Sequence, residues 1–149
     1  NKAIAQDYIE GIRMLSNMRL CSNVPAQSIV QTALGGYQSV SNYLTPGGRI
    51  YEQRECIYQA LKDIPGLSVV KPKAAFYMFP KLDVKKFHIT NDEQFALDLL
   101  RDKKILLIHG GGFHWEQPDH FRIVYLPKLE DLEYSMNEMR DFLKDYKQK

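Results

Sequence analysis

The stretch Lys103–Pro127, KKILLIHGGGFHWEQPDHFRIVYLP, decides the fold of this chain. Its first part, Ile105–Ile108, is an apolar run without alternation, which is typical of a strand covered on both faces. A glycine-rich loop, His109–Gly112, follows, and Phe121–Leu126 then carries the β-branched and aromatic residues of a second strand. The stretch therefore predicts a strand, a loop and a second strand, with Arg122 as the one charge on the second strand.

Arg122 is the residue that the sequence indicates most strongly as functional. A charged side chain among apolar neighbours needs an anionic partner, because an unpaired buried charge is costly. That partner can be an acidic side chain, in a structural ion pair, or the carboxylate of a small ligand. The apolar strand and the glycine-rich loop just before it favour a ligand, since the planar guanidinium suits a carboxylate and glycine permits close approach.

The composition is that of an ordinary soluble globular protein. The chain has 149 residues, of which 44% are hydrophobic and 26% charged, and its net charge is +2. That length is enough for one domain with a core. Basic residues are spread along the chain, which argues weakly against a nucleic-acid partner, and no apolar run reaches membrane-spanning length. The isolated Cys21 and Cys56 match no metal or disulfide pattern and indicate free thiols in a reducing, cytoplasmic compartment.

The first 45 residues have the pattern of helices. Apolar residues at helical spacing predict an amphipathic helix from residue 3 to about residue 19. Ser22 or Asn23 can cap a second helix, Ala26–Leu44, which is interrupted or ended near Gly35. The chain starts without an initiator Met, inside the first helical pattern, so we interpret it as a fragment.

The predicted order of elements after the break at Thr45–Gly48 is α-β-β-α-β-β-α. In chain order, their ranges are 50–64, 67–70, 74–79, 92–103, 105–108, 121–126 and 132–146. This pattern predicts an α/β fold in which a small mixed sheet is packed with helices. The first two strands are expected to form a hairpin, and Ile57 and Leu61 to pack along the sheet. Tyr77, which alternates with apolar neighbours, is expected in the core.

The loop His109–Phe113 allows other interpretations, which the rest of the sequence disfavours. An HGGG loop is used by esterases, but that chemistry needs a serine on a G-x-S-x-G elbow, and Ser135, the only later serine, lacks flanking glycines. The glycine N–H groups could bind phosphate, yet no helix start or Lys-Ser pair follows. His109, His114 and His120 match no common zinc-ligand spacing, so we expect no metal site.

Several longer segments resemble pyridoxal-phosphate-dependent aminotransferases of fold type I, class I. These segments are MRLCSNVPAQSIVQTALGGYQ, LTPGGRIYEQR, KPKAAFYMFPKLD, GGGFHW and PDHFRIVYLP. They extend over nearly the whole chain, and within the family they look most like the bacterial alanine aminotransferases. Gly110 and Phe113 match the family's P-G-x-x-F-G loop, whereas His109 and His114 stand where the family has the proline and the last glycine.

The resemblance implies roles for three residues. Arg122 aligns with the small-domain arginine that binds the substrate α-carboxylate, and Phe113 aligns with an aromatic residue that lies over the substrate. Asn23 lies near the start of a helix that approaches the active site at the dimer interface. The family's Schiff-base lysine occurs in an S-x-S-K-x-x-R-type segment that this chain lacks. We therefore expect no catalytic and no cofactor-binding residue within the chain.

The resemblance also implies a domain organisation and a function. Residues 1–45 would be the end of the cofactor-binding large domain, and residues 46–149 the C-terminal small domain. The parent enzyme would be a homodimer that uses pyridoxal 5′-phosphate to transfer an amino group between an amino acid, with alanine favoured, and a 2-oxo acid such as 2-oxoglutarate. The fragment alone is expected to bind no cofactor, to be inactive, and to self-associate through residues 1–40. The alternative is a stand-alone carboxylate-binding or dimerisation module without catalysis.

Overall fold

The structure, a computed structural model, describes residues 4–149. The chain divides into two compact units, of which the first ends at Ser39 and the second comprises Val40–Lys149. The domain boundary expected between residues 45 and 46 stays a prediction.

The first unit contains two helices, α1 (Gln6–Asn17) and α2 (Val24–Gly35). The helix predicted from residue 3 to about residue 19 is confirmed as α1, and Ala3 lies outside the described residues. Most apolar side chains of α1 are exposed, with Tyr8 at 72% and Leu15 at 69%. Neither helix contributes a buried residue.

Helix α2 is shorter than the predicted helix Ala26–Leu44, and its two ends have identifiable causes. At its start, the side-chain Oδ1 of Asn23 accepts a hydrogen bond from the N–H of Ala26 at 3.2 Å, as an N-cap does. At its end, a Cβ atom on Gly36 would lie 2.4 Å from the carbonyl oxygen of Thr32. Only glycine allows the chain to leave the helix in this way.

The second unit contains the remaining elements. They are α3 (Ser41–Leu44), α4 (Arg49–Lys62), β1 (Leu67–Ser68), β2 (Tyr77–Met78), β3 (Lys81–Leu82), α5 (Val84–Phe87), α6 (Asp92–Lys103), β4 (Ile108–His109), β5 (Phe121–Val124) and α7 (Leu129–Asp145). A 3₁₀ turn, Gly110–Phe113, lies between β4 and β5. The α/β fold class is confirmed. None of the helices within residues 4–149 is long and apolar enough to cross a lipid bilayer.

The strands form two small sheets, which corrects the prediction of one four-stranded sheet. Strand β1 pairs with β3, and the other sheet has the order β2-β5-β4. The predicted hairpin between residues 67–70 and 74–79 is wrong, because β1 and β2 belong to different sheets. Ala75 lies between them in the left-handed region, with φ +57°, and turns the chain towards β5 instead. All three strand pairings are antiparallel, whereas a mixed sheet was expected.

The strand predicted at Ile105–Ile108 is also corrected. Strand β4 begins only at Ile108, and Leu106 is 78% exposed, so the run is not covered on both faces. Lys104 ends α6 in the left-handed region, with φ +59°. The following residues, 105–107, are in no strand, and pairing with β5 begins at Ile108.

The core of the second unit lies between its helices and the inner faces of the strands. Helix α4 packs against α7 and also contacts β1, while α6 packs against α7 and β4. Ile57 and Leu61 of α4 are fully buried. They were expected to pack along the sheet, but α4 packs mainly against α7. The other core side chains include Phe95, Leu99, Phe121, Leu132, Met136, Met139 and Leu143. This core covers one face of β5, and the opposite face of the strand points away from it.

Candidate functional site

Strand β5 places Arg122 on the face of the sheet that points away from the core. Side chains alternate along a strand, and Phe121 and Ile123 are buried at 0% and 9% exposure. Arg122, which lies between them, is half-buried, and Val124 is exposed. Because β5 is the central strand of its sheet, neighbours on both sides can reach Arg122.

Two aromatic rings hold the guanidinium group of Arg122. Its central carbon lies 4.6 Å from the centre of the Tyr77 ring and 4.4 Å from the centre of the Phe113 ring. Both distances are those of cation–π contacts. The two rings therefore fix the plane of the guanidinium without neutralising its charge.

Arg122 has no anionic partner among residues 4–149. Its buried Nε forms no hydrogen bond, and no acidic side chain of the described residues forms an ion pair with it. Of the two alternatives that the sequence left open, the structural ion pair is therefore excluded for this part of the chain. An oriented guanidinium with free donors is arranged to receive an external anion, and its fork geometry suits a carboxylate.

Tyr77 reaches Arg122 because of the register between β2 and β5. Tyr77 lies opposite Val124 and Met78 lies opposite Ile123, so Tyr77 shares a face with Val124 and with Arg122, two residues earlier. The prediction that Tyr77 packs in the core is wrong, since it is 40% exposed while Met78 is 1% exposed. Strand β2 directs Met78 towards the core and Tyr77 away from it, which is the opposite of the predicted orientation.

The second ring, Phe113, is positioned by the glycine-rich turn. The N–H of Gly110 donates to the carbonyl oxygen of His120 at 2.8 Å, and the N–H of Gly111 donates to Oδ2 of Asp92 at 2.7 Å. A Cβ atom on Gly110 would lie 2.9 Å from that same carbonyl oxygen, which makes glycine necessary there. Because these two N–H groups are already bonded within the protein, phosphate binding by the turn is disfavoured.

The two positions that depart from the family's loop pattern have informative backbone angles. His109, which stands where the family has proline, has φ −66°, the value to which proline is locked. His114, which stands where the family has glycine, has φ +59°, in the left-handed region. Histidine tolerates that region better than most residues, but at a cost that glycine avoids. The backbone angles at both positions are thus ones that proline and glycine, respectively, adopt readily.

A cluster around Asp119, which the sequence did not predict, closes the loop before β5. Asp119 is 8% exposed, and its Oδ1 accepts hydrogen bonds from Nε1 of Trp115 at 2.9 Å and from Nδ1 of His120 at 2.5 Å. Nζ of Lys81 lies 3.2 Å from Oδ2. Burial alone would raise the pKa of Asp119, but the hydrogen bonds from Trp115, His120 and Lys81 outweigh it and hold the pKa below its ordinary value. No local pattern in the sequence indicates these contacts, because Lys81 lies 38 positions before Asp119 in the chain.

The remaining candidates are Asn23 and the histidines. Asn23 is in the first unit, where it caps α2, and its expected place near an active site stays a prediction. Nδ1 of His109 lies 3.6 Å from Oδ1 of Asp92 and forms no hydrogen bond within the described residues, whereas His120 is hydrogen-bonded to Asp119. Within residues 4–149 no group of three or more histidine, cysteine or acidic side chains is arranged to hold a metal ion.

The family described as "Aminotransferase class I and II" matches residues 3–138 of this chain. The matched residues include β5, which carries Arg122, and the 3₁₀ turn Gly110–Phe113. The chain belongs to this family.

Individual relatives and a solved structure show how similar the chain is to named aminotransferases. The chain is 56% identical, over 144 residues, to the glutamate-pyruvate aminotransferase AlaA of Haemophilus influenzae, with 97% of this chain and 36% of the relative covered. It is 50% identical to the alanine aminotransferase of Mycobacterium bovis, with 99% and 34% covered. A solved aminotransferase from Escherichia coli shares the fold with a TM-score of 0.82 and 54% identity, over 100% of this chain and 37% of that one. The chain spans about a third of the length of these relatives.

Proposed function

We propose that this chain is the part of an aminotransferase that binds the α-carboxylate of the substrate, through Arg122. The observation that carries the proposal is a half-buried guanidinium that is oriented by two rings and has no anionic partner within residues 4–149. A bidentate pair with a carboxylate would satisfy its free donors. The chain belongs to an aminotransferase family, and an amino-acid substrate carries such a carboxylate.

The proposed substrates are an amino acid and a 2-oxo acid, with alanine and 2-oxoglutarate as the favoured pair. The support is the similarity to proteins named glutamate-pyruvate aminotransferase and alanine aminotransferase. Arg122 itself binds the group that all amino acids share, so it orients the substrate without selecting its side chain. Phe113, which stacks on the guanidinium and is 42% exposed, would cover the bound carboxylate and exclude water from the pair.

The cofactor of this family, pyridoxal 5′-phosphate, does not fit the site around Arg122, because that site offers no amine for a Schiff base. The neighbouring rings of Tyr77 and Phe113 carry no amine, and the N–H groups of Gly110 and Gly111 are already bonded. In the proposed parent the cofactor supplies the stabilisation of negative charge at the substrate Cα. The chain lacks the family's lysine segment, so we propose that it is inactive alone and that the cofactor is held by other parts of the parent.

The assembly and location are further parts of the proposal. The exposed apolar side chains of α1, such as Tyr8 and Leu15, support a role for this helix in packing against the rest of a longer, homodimeric parent, near whose active site Asn23 would lie. They disfavour a stand-alone binding module, because such a module would leave them in water. Both Cys21 and Cys56 are free thiols, which supports a cytoplasmic location.

The experiment that tests the proposed function compares L-alanine with ethylamine as amino donors for the full-length protein. Ethylamine is alanine without the carboxylate, so a protein that binds the carboxylate through Arg122 should strongly prefer alanine. Arg122→Ala should remove most of this preference. Arg140→Ala, which truncates an exposed arginine on α7 that donates a hydrogen bond to Asn137, is the matched control and should keep it. A preference for alanine that survives in Arg122→Ala would refute the proposal.

A further inference from the structure

The loop between the 3₁₀ turn and β5 is held closed by one buried carboxylate, that of Asp119. Three donors from two parts of the chain converge on it: Trp115 and His120 within the loop, and Lys81 on β3. An ionised carboxylate only accepts hydrogen bonds, so Nδ1 of His120 must carry a proton in this contact. The carboxylate thereby fixes the orientation of both the indole and the imidazole ring.

The two oriented rings are connected to Phe113 through Phe79. The ring of Phe79 stacks on His120 with the centroids 4.8 Å apart and the planes 21° apart. The same ring lies 5.7 Å from Trp115 and 6.3 Å from Phe113, in both cases edge to face. Phe79 thus contacts the rings of His120, Trp115 and Phe113.

Phe113 completes the connection, because its ring lies 4.4 Å from the guanidinium carbon of Arg122. A continuous series of contacts therefore runs from Asp119 through His120 and Phe79 to the arginine. The start of the turn is anchored separately, by the bond from Gly111 to Asp92. The backbone that follows Phe113 is held by hydrogen bonds such as that from the N–H of Trp115 to the carbonyl oxygen of Gly110, at 3.2 Å. The side chains of Trp115 and His120, in contrast, share the carboxylate of Asp119 as their acceptor.

We propose that Asp119 is a positioning residue, which holds Phe113 against Arg122 by locking the rings of Trp115 and His120. The inference deepens the proposed function and rests on it where it concerns substrate binding. Without the carboxylate, the indole and imidazole lose their common acceptor, and Phe79 loses the ordered ring on which it stacks. Phe113 is then free to leave Arg122, and the guanidinium loses one of the two rings that fix its plane.

This role differs from a general contribution to stability, because it acts on one contact. A purely structural aspartate would weaken the whole unit without moving Phe113 relative to Arg122. The contact has a direct signature, since side-chain protons of Arg122 that lie over the Phe113 ring are shifted upfield in an NMR spectrum. A methyl group in the core, such as that of Met139, which is 1% exposed, reports general loosening instead.

The experiment measures these NMR shifts in the 149-residue chain and in four variants. Phe113→Leu removes the ring and defines the shift that is lost when the contact is absent. Asp119→Ala should lose most of that shift, while the chemical shift of the Met139 methyl group should stay unchanged. Asp119→Asn, which keeps an oxygen for Trp115 and His120, should recover part of it. The matched control is Asp141→Asn, because Asp141 also accepts from a lysine, at 2.7 Å from Lys103, but lies exposed on α7.

Two results would show that Asp119 does not position Phe113 against Arg122. An Arg122 shift that is unchanged in Asp119→Ala, or equally reduced in Asp141→Asn, overturns the proposal. If Asp119→Ala fails to fold, the Arg122 shift is measured in Trp115→Phe instead, since this change removes the Nε1 donor to Asp119 and keeps a smaller aromatic ring beside Phe79.

The consequence for binding is tested in the full-length protein. Asp119→Ala should raise the KM for L-alanine by about 2- to 30-fold, the range expected for one lost cation–π contact, and leave kcat near its normal value. An unchanged KM overturns the role in substrate binding. If the NMR shift is lost but the preference for alanine over ethylamine proves independent of Arg122, the positioning of Phe113 stands and the proposed function fails.

Discussion

The replacement Arg122→Ala in the full-length protein should lower kcat/KM for L-alanine by roughly 30- to 5,000-fold. Truncating one member of a buried charge pair costs on the order of 2–5 kcal/mol, and each 1.4 kcal/mol is about a tenfold change in rate. The rings of Tyr77 and Phe113 already fix the guanidinium plane, so little of the pairing energy is lost in ordering it. Arg122→Lys should recover only part of the activity, because an ammonium group cannot form the two parallel hydrogen bonds.

The same replacement should leave the stability of the fold nearly unchanged. It removes two partly exposed cation–π contacts, worth about 0.5–1 kcal/mol each, but it also removes the buried Nε that has no partner in the described structure, which is a cost of about 1–3 kcal/mol in the wild type. Steady-state kinetics measures the loss of activity, and circular dichroism melting measures the stability of the same samples. Near-normal kcat/KM in Arg122→Ala, or a loss that melting traces wholly to unfolding, would refute the reasoning.

Four further predictions concern the chain by itself. Mixed with pyridoxal 5′-phosphate and reduced with borohydride, it should show only scattered labelling in a peptide map, because it lacks the family's lysine segment; one stoichiometric lysine would contradict this. Light scattering should detect self-association through residues 1–40, since burying one exposed apolar side chain of α1 is worth roughly 1.5–3 kcal/mol, whereas a strict monomer would argue against it. His114→Gly should raise the unfolding free energy by about 0.5–1 kcal/mol, as φ is +59° there, and a loss of stability would show that the ring of His114 matters more. The folded pKa of Asp119 lies below its ordinary value of 3.8, so its stabilisation is present above about pH 4 and is lost as the pH falls through the folded pKa. The stability gap between wild type and Asp119→Asn should therefore close in acid, and denaturant titrations in which it stays constant would exclude this linkage.

The helices of the second unit were predictable because their apolar spacing is a local property. Leu132, Met136, Met139 and Leu143 recur at helical intervals, and all four are buried in α7. The strands were less predictable, since most have only two residues and their partners lie far away in the sequence. Strand β1 pairs with β3 rather than with β2, and the chain between β1 and β2 contains a left-handed residue, Ala75, that periodicity does not reveal.

The candidate site was predicted in part, for a similar reason. Arg122 was identified because one charge in an apolar strand needs a partner, and Phe113 because its loop resembles that of the family. Tyr77 was assigned to the core because alternation gives two faces without saying which one is inward. The contacts of Asp119 could not be predicted, because they exist only after the loop has folded back on itself and brought Trp115 and Lys81 to one carboxylate.

A crystal structure of the full-length protein with a bound amino acid or 2-oxo acid tests the central claim most directly. We expect the substrate α-carboxylate to accept two parallel hydrogen bonds of about 2.7–2.9 Å from Arg122, with the guanidinium still between the rings of Tyr77 and Phe113. A carboxylate bound at another residue, with Arg122 paired to an acidic side chain of the protein, would contradict the account.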